Sequence, residues 1–155
     1  VQEAAEAAEA AEEPSADASP EEALVVEEAA PAKAYVTRLQ DALRGELYAH
    51  AYYLAAAEAL PGARRFQNLA RAESRHAEAV GQAIKLLGGT PVTAHGEQLV
   101  APATVADAEN EGQKIERQVI ARFEALIRDC PDAAIKTILE QLQAANHRHL
   151  RAMGG

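Results

Sequence analysis

The sequence predicts an all-α fold, a four-helix bundle with one long crossover between helices 2 and 3, preceded by an acidic tail. Three observations predict it. Ala is abundant, Trp is absent, and Phe and Tyr are few. Four long stretches carry apolar residues in alternating steps of three and four, the period of a helix with one buried face. Pro61-Gly62 and Cys130-Pro131-Asp132 join these stretches pairwise through tight turns, while the middle connection is long.

The tail comes first. Residues 1–32 hold ten acidic side chains, nine Glu and Asp17, and no Lys or Arg. Residues 34–155 hold fourteen acidic and fourteen basic side chains, so with Lys33 the whole net charge of −9 belongs to the tail. Residues 1–33 are therefore expected to be a disordered or loosely docked segment, and 34–155 the bundle. Ala23-Leu24-Val25-Val26 is the tail's one apolar patch, either chance or a short docking peptide for the bundle or a partner. Nothing in the near-neutral remainder points to nucleic acid. No apolar run approaches the ~18 residues of a membrane span. The single Cys130 excludes an internal disulfide and reads as a small packed residue. The chain opens on Val1 with no basic-then-apolar leader, so a cytoplasmic protein is expected, with an exported mature chain as the alternative.

Helix 1 is expected from about Ala34 to Leu60, with the stripe Tyr35, Leu39, Leu43, Glu46, Tyr53 and Leu60. Pro61-Gly62 ends it and makes helix 2 its antiparallel neighbour. Helix 2, Arg64 to Leu87, buries Phe66, Leu69, Glu73, His76, Val80, Ile84 and Leu87, then stops at Gly88-Gly89-Thr90-Pro91. The next ~14 residues reach about 46 Å when extended. A helix of ~26 residues is about 39 Å long. The connection can therefore cross the bundle and start helix 3 parallel to helix 2. Helix 3, about Thr104 to Asp129, shows Val105, Glu109, Gly112, Glu116, Val119 and Phe123 on one face. Helix 4, about Asp132 to Met153, shows Ile135, Leu139, Leu142, Asn146, His149 and Met153, with Pro131 at its start.

Polar groups interrupt these apolar faces in a repeated pattern. The first half has Glu46, an aromatic seven residues later (Tyr53), then Glu73-x-x-His76. The second has Glu116, Phe123 seven residues later, then Asn146-x-x-His149. Residues three apart share a helix face. A buried carboxylate is costly unless it is paired or ligates a metal. One Glu from each of two helices and Glu-x-x-His from the other two is the di-iron carboxylate pattern, in which hard oxygens bridge two irons and His completes each coordination sphere.

LQDALRGELYAHAYYL, FQNLARAESRHAEAV and KLLGGTPV resemble the first half of rubrerythrin and bacterioferritin-type proteins, and ENEGQKIERQVIARFEALI and ILEQLQAANHRHLRAM resemble their second half. The resemblance covers about residues 34–153 and implies a ferritin-like bundle whose metal ligands are Glu46, Glu73, His76, Glu116 and His149. Asn146 departs from the pattern, standing where the family usually has a fourth, metal-bridging Glu. Three carboxylates then face two divalent ions. On this reading the Glu46/Glu73/His76 position is intact, and the Glu116/His149 position has lost its bridging anion and keeps a neutral oxygen ligand. The implied cofactor is iron, two ions if the centre is complete, with one ion, manganese or a mixed metal otherwise. The implied activity is an oxidoreductase reacting ferrous iron with oxygen or peroxide. The alternative is a non-catalytic bundle serving as a binding or scaffold subunit through its acidic tail. A homodimer or larger homo-oligomer is expected. The paired-Cys electron-relay module of full-length rubrerythrin is not in this sequence.

Other residues near the stripe have two readings each. Tyr53 either hydrogen-bonds a ligand, and so takes part in catalysis, or simply packs. His50 is a partner of the ligands or a half-buried helix residue. Glu109 is an alternative ligand or a helix-start charge favoured by the dipole. Arg75 and Arg117 should point off the stripe, and His147 should be solvated. His95 lies in the crossover without a visible partner.

Overall fold

The computed structural model describes residues 20–62 and 64–155, with side chains from residue 31 onward. Among the described residues four helices occur in order: α1 Pro20–Ala59, α2 Arg64–Leu86, α3 Val105–Arg128 and α4 Ala133–Ala152.

Helix α1 starts at Pro20, well before the expected Ala34. Pro is pre-organised for the first helical position, and the Glu and Ala residues that follow are strong helix formers. Pro31 lies inside the helix. It removes one intrahelical hydrogen bond without ending the element. Residues 1–19, and the side chains of Ala23-Leu24-Val25-Val26, lie outside the described residues.

The helix ends follow local chemistry. Gly62 and Gly88 take left-handed φ values of 73° and 82°, which Gly adopts without a Cβ clash. After α2, the Gly89 amide donates to Ile84 O at 2.9 Å and the Gly88 amide to Lys85 O at 3.0 Å, closing the helix with its own last carbonyls. Thr104 caps α3, its hydroxyl accepting from the Asp107 amide at 3.1 Å. Asp132 caps α4 by accepting from the Ile135 amide at 2.9 Å. Pro131 thus precedes the cap and is not part of the first helical turn.

Helix α1 packs mainly on α2, and α3 on α4; the two hairpins meet through α1 against α3 and α2 against α4. Leu39, Phe66, Val80, Ile84, Phe123, Leu126, Ile135 and Leu139 are fully buried between them. Val105 is exposed, and the buried face of α3 begins with Ala108. The segment between α2 and α3 runs along α1. Gln40 clasps its beginning, donating to Thr90 O at 2.6 Å and accepting from the Val92 amide at 2.9 Å. Farther on, His95 packs edge-on against Tyr48 with ring centroids 5.6 Å apart, and Val100 to Ala103 share a cleft with Tyr48 and Tyr52. Helix α3 therefore starts near the α1–α2 turn, where Glu109 pairs with Arg65 of α2. That places α3 parallel to α2. No helix among the described residues is long and apolar enough to cross a membrane.

Candidate metal centre

Among the described residues five polar side chains are buried in an otherwise apolar core: Glu46, Glu73, His76, Glu116 and Asn146, with His149 half-buried beside them. Glu73/His76 and Glu116 come from the middle turns of α2 and α3, Glu46 from α1, and Asn146 and His149 from the second half of α4, His149 in its last turn; the three-residue step puts both members of each pair on one helix face. All six residues expected at the centre are thus brought together.

Glu73 is the hub. Its Oε1 lies 2.7 Å from His149 Nδ1, and its Oε2 lies 3.1 Å from His76 Nδ1. His76 Nδ1 is also 3.7 Å from Glu46 Oε2, and His149 Nδ1 is 3.5 Å from Glu116 Oε1. Two donor groups result, Glu46/Glu73/His76 and Glu73/Glu116/His149, each with its ligand atoms within 4.8 Å of one another. The His76 and His149 rings stack with centroids 5.4 Å apart and an interplanar angle of 10°.

Two details revise the sequence reading. Glu73 serves the Glu116/His149 group as well as its own, so that group keeps a shared carboxylate. Asn146 lies beside Glu46, its Nδ2 donating to Glu46 Oε1 at 3.5 Å. The neutral residue therefore touches the group expected to be intact. Which neighbour Asn146 meets depends on the rotation of α4 against α1, which is a property of packing.

The metal-free site is held together by protons. Burial opposes charge on His76, but Glu46 and Glu73 outweigh it and raise the imidazole to about 10. Burial likewise opposes charge on His149, and Glu116 with Glu73 raises it to about 9. Burial also works against the Glu73 carboxylate, but His149 and His76 hold it well below the ordinary range. Burial pushes Glu46 well up, helped by the neighbouring Glu73 charge. Burial and Glu73 push Glu116 up to about 7 against the pull of His149.

This compensation is incomplete. Glu46 Oε2, Glu73 Oε2, His76 Nδ1 and Asn146 Oδ1 are buried without a hydrogen-bond partner. His76 Nδ1 is close to Glu73 Oε2 but not aligned as a hydrogen bond. Buried polar atoms are nearly always satisfied. Three of these atoms, on Glu46, Glu73 and His76, lie together, and the fourth is on Asn146, whose amide nitrogen touches Glu46; oxygens with an imidazole nitrogen suit a hard or borderline cation.

Tyr53 is fully buried, and its hydroxyl donates to Glu116 Oε1 at 2.8 Å. Gly112 makes room: a Cβ there would meet the Met153 side chain and lie 3.2 Å from the Tyr53 ring. That role of Gly112 was not read from the sequence, where the Gly on a buried stripe was the only signal. A cleft of about 240 Å³ lined by Arg65, Asn68, Leu69, His149, Ala152 and Met153 leads from the surface to His149.

The remaining candidates lie elsewhere. Glu109 pairs with Arg65 and is not an alternative ligand. His50 Nδ1 sits 2.7 Å from Ala70 O, tying α1 to α2 away from the centre. Arg75, Arg117 and His147 are exposed and pair with no core carboxylate. Cys130 is half-buried, its thiol 3.2 Å from Asp132 O.

Comparison with known proteins agrees with this geometry. The sequence model of one protein family, Rubrerythrin, matches residues 38–153. No curated protein sequence matches the chain. Among solved structures, a Desulfovibrio desulfuricans bacterioferritin with a diiron site superposes with a TM-score of 0.75 at 22% identity, over 80% of this chain and 78% of that one. A ferritin-like diiron-carboxylate protein from Bacillus anthracis gives 0.72 at 22% identity, over 80% and 95%. A Mycobacterium tuberculosis bacterioferritin gives 0.71 at 23% identity, over 77% and 81%. At these identities the likeness establishes the ferritin-like fold.

Proposed function

The chain belongs to the rubrerythrin family, and from that premise we propose that it binds iron in the bundle core and acts as an oxidoreductase toward oxygen or peroxide. The observation that carries this reading is the set of four buried, unpartnered donor atoms on Glu46, Glu73, His76 and Asn146. A metal-free scaffold would leave them orphaned, at a cost of roughly 1–3 kcal/mol for each.

Glu46, Glu73 and Glu116 would supply oxygen ligands, with Glu73 shared between two positions, and His76 and His149 a nitrogen to each. Bound iron would supply the electrons for reducing oxygen or peroxide. The chain's own groups prepare the site. Tyr53 holds the Glu116 carboxylate by its hydrogen bond, a positioning role. His76 and His149 carry protons in the metal-free protein and must release them before either ring nitrogen can ligate. The apolar layers around Leu39, Phe66 and Phe123 exclude bulk water. The half-buried His149, lining the cleft at its edge, offers small molecules a way in.

Anaerobic reconstitution with ferrous iron, followed by metal analysis, tests the reading. One to two ions per chain is the expected result, and fewer than about 0.2 iron or manganese per chain would overturn it. Loaded protein should then oxidise its iron faster than free ferrous ion when oxygen or peroxide is added. A homodimer or larger assembly, as expected for this reading, would show in gel filtration.

A further inference from the structure

The two donor groups differ in what occupies them before any metal arrives. In the Glu73/Glu116/His149 group the contacts are made internally. Glu73 Oε1 meets His149 Nδ1 at 2.7 Å, and Glu116 Oε1 accepts from Tyr53 at 2.8 Å. In the other group, Glu46 Oε2, Glu73 Oε2, His76 Nδ1 and Asn146 Oδ1 are all buried and all unpartnered. Asn146 is fully buried and held against Glu46 through its amide nitrogen, so its unpartnered oxygen is on a side chain that touches this group.

Resting on the metal-binding reading above, we propose that the two positions are unequal: the one formed by Glu46, Glu73, His76 and Asn146 fills first, with Asn146 Oδ1 as a neutral ligand.

Two physical reasons converge. A cation at the first position satisfies atoms that no hydrogen bond serves, and the contact it displaces, His76 to Glu73 at 3.1 Å, is not aligned as a hydrogen bond. A cation at the second must displace the His149–Glu73 contact and compete with Tyr53 for Glu116. Charge acts in the same direction. Glu46 and Glu73 neutralise one divalent ion. A second ion brings in Glu116 alone and leaves one uncompensated positive charge in the core, which is costly. Asn146 contributes an oxygen but no charge, and so sets this limit.

Anaerobic titration of the full chain with Mn²⁺ and Co²⁺, followed calorimetrically and by the Co²⁺ ligand-field spectrum, is the test. Wild type should bind one ion tightly and a second at least about tenfold more weakly. Asn146→Glu should bring the second ion to within about threefold of the first. Asn146→Leu, near-isosteric but without a ligand oxygen, should weaken the first ion about tenfold or more. His149→Ala should lose the second ion and keep the first. Two equally tight ions in wild type would overturn the proposal and leave the metal reading standing; no binding at all would remove both. Circular dichroism checks that each variant folds. Anomalous scattering from wild-type crystals soaked with one equivalent of Mn²⁺ decides the matter without any variant. Density beside Glu46 and Asn146 is expected, and density confined to Glu116 and His149 would overturn it.

Discussion

Glu73 faces two histidines at once, His149 at 2.7 Å and His76 at 3.1 Å, and the titration of the site follows from that. Both imidazoles hold protons more tightly than the ordinary ~6.5 of an unfolded His, up to about 9 and about 10. Their contribution to metal-free stability is complete below about pH 6.5 and is lost as pH rises through 9 to 10. Burial raises Glu116 to about 7 and Glu46 also upward, so charging them with rising pH acts in the same direction. Glu73 works oppositely at the acid end, its contribution disappearing as pH falls below the ordinary carboxylate range. The melting temperature of the chelated protein should therefore fall steadily on the alkaline side, between about pH 7 and 10. Metal binding at pH 7 should release roughly two or more protons, which calorimetry in buffers of different ionisation enthalpy will count. Tyr53→Phe removes the hydroxyl that satisfies Glu116 and should cost about 1–3 kcal/mol of metal-free stability, read from urea unfolding. Much of this site was legible in the sequence, because a Glu or His on a helix's apolar stripe must face the core. The proton sharing was not, because it depends on distances between residues as far apart as Glu73 and His149.

Among the elements, α4 matters most to the centre, since it carries both Asn146 and His149. Its start is set by Asp132, whose side chain accepts from the Ile135 amide at 2.9 Å. Asp132→Ala should cost about 1 kcal/mol, and hydrogen exchange should quicken in the first turn of α4 before it does around Asn146. The caps were readable because they are local, a side chain bonding an amide three residues on. The start of α1, at Pro20 and not Ala34, has a related reason. Acidic residues and Pro31 suggested a loose tail, yet the same Glu and Ala residues favour a helix, and one internal Pro does not end it. The crossover was expected from chain length, but its path along α1 depends on Gln40 reaching Thr90 and Val92, fifty residues away.

At the scale of the whole molecule, the fold brings three carboxylates into one apolar core, a cost that a bound cation would offset. Metal loading should therefore raise the melting temperature and make it depend on free metal concentration, at about 2.7 kcal/mol for a hundredfold excess over Kd. Differential scanning calorimetry with and without chelator checks this, and an unchanged transition would argue for the scaffold reading. The sequence by itself determined four helices, their pairing through tight turns, and which polar side chains face inward, because helical period and turn chemistry are local. Only the tertiary structure decided that Glu73 is shared between two histidines, that Asn146 lies against Glu46, and that Glu109 is spent on Arg65. Those outcomes depend on the rotation and stagger of whole helices, which side chains set jointly across the packed core.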